Sequence, residues 1–290
     1  MGNRIVMYKL LFQAASHALL SLGKNEKYLG AEIGFTTILH TWGQDLSFHP
    51  HVHCIVSAGG VKDGKWIAEK RKNNKFLFPV DALKKTFKGF FMQHLRRLYK
   101  KKLITIDENT LQSLLTTIGY KIWNVDVRKP FGGPGQVLQY LGRYTHKVAI
   151  THHRIRSIEN NEVTFSYKDY RDGSKMKEMS LPSQEFLRRF EQHILPKGFV
   201  KIRSYGFLKN YNKTLRLDAL RKSMQLPPAP RKVRIPVQQR LLEKYGKDIS
   251  RCPKCERGTM MLMQTIRPVY NHRIAIGMQK EVASQNIHSP

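Results

Sequence analysis

Residues 30 to 67 constrain the fold more than any other stretch of this chain. Gly30 to Trp42 is an apolar, β-branched run, and His51 to Ala58 alternates apolar and polar residues. Both read as strands, joined by the polar segment Gln44 to Pro50. Gly59-Gly60 and Asp63-Gly64 are turn signals, so a hairpin continues through Lys65-Trp66-Ile67. Strands joined by short connections pair antiparallel, because a parallel pair needs a crossover of about a dozen residues or more.

Helical spacing flanks this region. Residues 5 to 22 carry apolar positions at helical intervals, broken by Lys9, Gln13, Ser16 and His17, which predicts an amphipathic helix. From Val80 to Lys102, Phe87, Phe90, Phe91, Leu95 and Leu98 fall on one face and basic residues on the other. A shorter helix is expected near 109 to 118, and the alternation of IWNVDVR predicts a strand over 122 to 128. A Gly/Pro-rich connection, Lys129 to Gly135, leads into a helix that carries Tyr140 and Tyr144. Val148 to Arg156 and Val163 to Tyr167 read as a final antiparallel pair, turned through Glu159-Asn160-Asn161. A helix around Ser183 to His193 follows. Beyond about residue 210 the chain turns Lys/Arg- and Pro-rich. The expectation is an α+β fold with a mainly antiparallel sheet over residues 1–210, and a basic extension over 211–290.

The charge narrows the partner. With 51 Lys and Arg against 21 Asp and Glu, the chain carries +30. Such an excess favours an anionic polymer through counterion release. A membrane is the rival partner, but no signal peptide opens the chain and no uninterrupted apolar run approaches the ~20 residues of a span. Three cysteines do not make a secreted disulfide framework. The reading is a cytoplasmic protein that faces nucleic acid.

Chemistry concentrates in two places. In His49-Pro50-His51-Val52-His53, the i, i+2 spacing on a strand puts His51 and His53 on one face, where they can share a divalent cation. Incidental surface histidines are the alternative. A third ligand is required, and Gln44 is the first candidate, with His40 and Asp45 as competitors. An amide oxygen suits Mg or Mn. In Tyr140-Leu141-Gly142-Arg143-Tyr144, the i, i+4 spacing stacks two phenols on one helical face. A phenol can attack phosphorus and store the bond as a phosphotyrosine ester, if a cation or base activates it; Lys147 is a candidate neighbour. The competing reading is core packing, since Val137, Tyr140, Leu141 and Tyr144 also form an ordinary apolar stripe.

Other signals are weaker. Cys252-Pro253-Lys254-Cys255 is half of a zinc site, and His272 and His288 are too widely spaced for a familiar finger. Lys84, Lys88, Arg96, Arg97 and Lys100, with Arg143 on the tyrosine helix, can track a nucleic-acid backbone or simply form solvated faces. Tyr205, Phe207 and Tyr211 can stack on bases or pack in the core.

The segments LHTWGQDLSFHPHVHCIVSAGG (39–60) and KPFGGPGQVLQYLGRYTHKVAI (129–150) closely resemble the two-tyrosine HUH transposases of rolling-circle insertion sequences. Residues 163–181 and 195–208 fit as well, so the resemblance covers most of residues 8 to 210. It implies an antiparallel sheet with the metal-binding histidines on a central strand and the tyrosine helix beside it. It further implies His51 and His53 as metal ligands and Tyr140 and Tyr144 as nucleophiles. Gln44 matches the acidic or amide third ligand of related replication initiators, and Lys147 the lysine of their tyrosine motif. Members usually begin with a cysteine-rich zinc-binding region, so a chain starting at Met1-Gly2-Asn3 is expected to be shortened at its start. The expected activity is metal-dependent cleavage and transfer of single-stranded DNA through a 5′-phosphotyrosine. The alternative is an inactive basic nucleic-acid-binding remnant. A metal hydrolase using water is a third reading, for which the sequence offers no obvious general base.

Overall fold

The computed structural model of the chain describes residues 2–69, 77–145, 149–229, 235–255, 257–261 and 263. It divides into two units, Met1–Ala229 and Pro230–Pro290. The first opens with helix α1 (Arg4–Lys24) and the strands β1 (Glu32–Trp42), β2 (Phe48–Lys62) and β3 (Lys65–Ala68). Helices α2 (Val80–Lys100), α3 (Glu108–Tyr120) and α4 (Pro134–Thr145) follow. Next come β4 (Ile155–Glu159), β5 (Glu162–Asp169), β6 (Lys175–Pro182), α5 (Ser183–Glu191), β7 (Ile202–Tyr205) and α6 (Lys213–Ser223). The second unit contains α7 (Val237–Tyr245). The fold is α+β, and every strand pairing is antiparallel among the described residues.

The strands form two sheets, ordered β3-β2-β1-β7 and β4-β5-β6. The hairpin read from the sequence is the centre of the first. Asp63 and Gly64 both take positive φ, 51° and 73°, as a two-residue turn matched to strand twist requires. Asn160 and Asn161 do the same between β4 and β5, with φ of 50° and 61°.

Apolar side chains of β1 and β2 that point to one face bury α1. Leu39 meets Tyr8 and Phe12, with Val52 beside them. Farther along, Ile33 and Phe35 meet Ala18, Leu19 and Leu22. By length and composition alone α1 could cross a membrane, but these contacts place its apolar side chains in the core. Helix α2 packs on α1, with Leu95 against Leu10. A separate core under the second sheet joins Phe165, Val163 and Leu181 to Phe186 of α5 and to Leu46.

Three local expectations differ from the structure. Residues 122–128 form no strand. Their alternation is real, since Trp123, Val125 and Val127 are half-buried between exposed neighbours. Val125 and Val127 lie over the main core, and Trp123 meets Phe87 and Phe91 at 5.5 and 5.1 Å. The segment covers apolar surface without a ladder partner. The final strand pair is a three-stranded sheet completed by β6, and its first strand begins only at Ile155, because His152–Arg154 form a 3-10 turn. The connection after β1 is also shorter than expected: β2 begins at Phe48.

Candidate active site

The β1–β2 register builds the site. His51 stands opposite His40, and His53 opposite Ile38. Directly opposed residues of an antiparallel pair share a face, so His40 joins the His51/His53 pair on the face away from α1. Side-chain ligand atoms of His40, His51 and His53 all lie within 4.8 Å of one another. His51 and His53 lie in the stretch of β2 that pairs with β1, while β3 pairs with β2 farther along, at Gly59 to Lys62.

Backbone carbonyls fix which nitrogens are available. His51 Nδ1–H donates to the His49 carbonyl at 2.7 Å, which leaves Nε2 with its lone pair. His40 Nε2–H donates to the Tyr144 carbonyl at 2.9 Å. The two facing Nε2 atoms of His51 and His53 are 3.2 Å apart. Burial, foremost, and the neighbouring His49 push His51 below the usual imidazole range, against its bond to the His49 carbonyl. A neutral imidazole with a carbonyl-anchored ring is the form that binds a cation. The donor set fits a divalent metal.

Helix α4 brings both tyrosines to this face. The Tyr140 hydroxyl is 2.9 Å from His53 Nδ1. The Tyr144 ring lies 4.4 Å from the His53 ring and 4.2 Å from that of Tyr140. The stripe of Val137, Tyr140, Leu141 and Tyr144 is the half-buried side of α4, with none of the four fully buried. Burial, chiefly, with Tyr144 and Cys54 adding to it, pushes the Tyr140 phenol up to about 12, against the pull of Arg128. Phe131 packs edge-on against Tyr140 at 5.4 Å.

Three side chains from elsewhere in the fold hold the β1–β2 connection. Arg154 donates to the carbonyl of Gln44, Arg189 to that of Asp45 at 3.3 Å, and His193 Nε2–H to that of Leu46 at 3.1 Å. His193 Nδ1 then accepts from the Thr41 hydroxyl at 3.2 Å. Leu46, fully buried, takes a φ of 61°, a left-handed conformation that costs a non-glycine residue about 1 kcal/mol or more. The 3-10 turn before β4, helix α5 and the residues just after it thus hold the connection between His40 and His51.

The other sequence candidates fall in different places. The Asp45 carboxylate is taken by the backbone and hydroxyl of Ser47, at 3.1 and 2.6 Å. Burial raises its pKa, but these bonds and nearby Arg189 bring it net below the ordinary range. Lys147 lies outside the described residues, as do His272 and His288. Arg143 is exposed on α4. Arg96, Arg97 and Lys100 are exposed on α2, which packs on α1, across the sheet from the histidines. Lys84 is half-buried, and Lys88 donates to the carbonyls of Gly119 and Lys121 at the end of α3. Tyr205 stacks on Phe35 at 5.0 Å and Phe207 is buried, while Tyr211 is exposed. Cys252 and Cys255 are free thiols in the second unit.

The arrangement has relatives. The Y2_Tnp family model, described as "Putative transposase", matches residues 34–215, a span that includes all three histidines and both tyrosines. The chain belongs to this transposase family. It is 39% identical over 275 residues to "Putative transposase y4qJ" of Sinorhizobium fredii (strain NBRC 101917 / NGR234), covering 90% of this chain and 68% of that one. It is 30% identical over 209 residues to "Transposase for insertion sequence element IS801" of Pseudomonas savastanoi pv. phaseolicola, covering 69% of this chain and 48% of the relative. No solved structure matches the chain.

Proposed function

We propose that this transposase is an HUH-type enzyme that cuts and rejoins single-stranded DNA, with Tyr140 and Tyr144 as nucleophiles. The observation that carries this reading is the hydrogen bond between the Tyr140 hydroxyl and His53 Nδ1, 2.9 Å, beside a three-histidine cluster. His40, His51 and His53 hold the metal, with His40 taking the position for which Gln44 was the first sequence candidate. A divalent cation held by these residues would supply Lewis-acid polarisation of the scissile phosphate and would offset its developing charge. Three imidazoles suit Mn better than Mg, which prefers oxygen.

His53 links the ligand set to the nucleophile. When its Nε2 is a ligand, Nδ1 carries the hydrogen and donates to the Tyr140 oxygen. That bond favours the phenolate and opposes the burial that raises the phenol. The phenol gives its proton to water, and the Tyr140 oxygen forms a bond to phosphorus as the P–O3′ bond breaks, water returning a proton to the leaving oxygen. The 5′-phosphate is left as a tyrosine ester and the departing 3′-oxygen as a hydroxyl. Ester energy is kept, so a 3′-hydroxyl can reverse the step without ATP. Tyr144, on the same helical face, is placed to accept a second strand.

The exposed basic residues Arg96, Arg97, Lys100 and Arg143 support DNA binding by charge, within a cytoplasmic, membrane-independent protein. Residues 1–210 carry the catalytic part and 211–290 a basic extension. The test is incubation of the purified chain with single-stranded oligonucleotides and Mn. A covalent protein–DNA band on a denaturing gel is expected. Salt-sensitive binding with no such band from folded protein would favour the inactive remnant instead.

A further inference from the structure

The second unit contains a feature that the strand-transfer chemistry does not use. Arg251 and Thr259 form an antiparallel bridge, and Met260 N–H donates to the Ser250 carbonyl at 2.7 Å. These contacts close a narrow hairpin around Cys252-Pro253-Lys254-Cys255. At its tip Cys252 N–H donates to the Gly258 carbonyl at 2.8 Å. Gly258 N–H in turn donates to Cys255 Sγ at 3.3 Å. Gly258 comes close to both cysteines: a Cβ there would sit 3.4 Å from Cys252 Cβ and from Cys255 Sγ.

We propose that Cys252 and Cys255 are two ligands of a zinc ion, held in a hairpin knuckle by the backbone around Gly258. An N–H aimed at sulfur favours the thiolate over the thiol, and the thiolate is the metal-binding form. Each thiol releases its proton on ligation, and two sulfurs fill half of a tetrahedral site. A redox pair is the competing use of this spacing. Such pairs generally draw on a helix N-terminus to stabilise the thiolate, whereas residues 251–261 here, where described, contain no helix. The two remaining ligands come from this chain or from the same cysteine pair of a second copy.

The test uses the full chain, reduced and stripped of metal, titrated with Co(II) as a spectroscopic stand-in for zinc. A saturable thiolate-to-cobalt charge-transfer band, displaced by zinc, is expected. The band should vanish in Cys252→Ser and in Cys255→Ser, each still binding Mn at the histidine cluster as a check on folding. It should persist in the double variant His51→Ala/His53→Ala. No thiolate band in the wild-type chain, or a full band in Cys252→Ser, overturns the site. Saturation at half an equivalent with a dimer assigns the remaining ligands to a second copy. Saturation at one equivalent on a monomer assigns them to the same chain, and either result retains the thiolate pair. The outcome is independent of whether the tyrosines cut DNA.

Discussion

The hydroxyl of Tyr140 lies 2.9 Å from Nδ1 of His53, so the candidate nucleophile touches a candidate metal ligand directly. Any change in the protonation of His53 reaches the phenol through a single hydrogen bond. Tyr140→Phe removes that bond and should cost only about 0.5–1.5 kcal/mol of stability. Initial nicking should fall by roughly 100-fold or more, as removal of a nucleophile does. Oligonucleotide cleavage and a thermal melt, run on the same preparation, check both halves.

The register that puts His40 opposite His51 makes His40 the expected third ligand. His40→Ala should weaken Mn binding by at least about 10–100-fold, no less than loss of an outer-shell partner, while Gln44→Ala should leave it nearly unchanged. Calorimetric titration distinguishes them. The reverse pattern would return the third position to Gln44.

Arg154 bridges the second sheet to the connection between His40 and His51, through Gln44 and through the Ser166 carbonyl at 2.8 Å. Arg154→Ala leaves these acceptors without their donor, at a cost of about 1–3 kcal/mol if they stay out of water. The expected result is a lower unfolding midpoint together with weaker Mn binding. A variant with lowered stability but native Mn affinity would show that the connection does not position the histidines.

His193 supplies a pH dependence. Burial, chiefly, holds its imidazole below the usual range, aided by Arg4 and opposed by its bond to the Leu46 carbonyl. The folded pKa is lower than the unfolded value of about 6.5, so the unfolded chain binds more protons between the two. The contribution is therefore complete above about pH 6.5 and is lost as the pH falls through the folded value. Urea midpoints at successive pH values should fall less steeply below that point in His193→Gln. Parallel curves would contradict the assignment.

On α2 the basic residues should separate by role. Converting Arg96, Arg97 and Lys100 to Ala should reduce the salt slope of single-strand binding by about 0.7 for each phosphate no longer neutralised, without changing nicking at saturating DNA. Lys88→Ala should instead lower stability, because its ammonium holds the end of α3. A fluorescence-anisotropy salt series and melting curves resolve the two.

Much of this site was legible in the residues because its parts are local. The i, i+2 histidines and i, i+4 tyrosines need only a strand and a helix, and both elements carry strong periodic signals. His40 was harder, because choosing it requires the β1–β2 register, which depends on the connection ending at Ser47 rather than Pro50. Arg154, Arg189 and His193 were not legible as supports of Gln44, Asp45 and Leu46, since they lie more than a hundred positions away. Strand β7, four residues long, pairs with β1 across a similar separation. Strand β6 was hidden by its composition: of its eight residues only Leu181 is buried. The alternation of 122–128 correctly marked one covered face, but alternation does not say whether a ladder partner exists.

The most direct measurement is mass-spectrometric mapping of the DNA adduct after a short reaction of the wild-type chain with Mn and a single-stranded oligonucleotide. The account predicts a 5′-phosphorylated nucleotide ester on Tyr140 or Tyr144, absent when both are phenylalanine. Cleavage that leaves no adduct, or an adduct on any other residue, would contradict it.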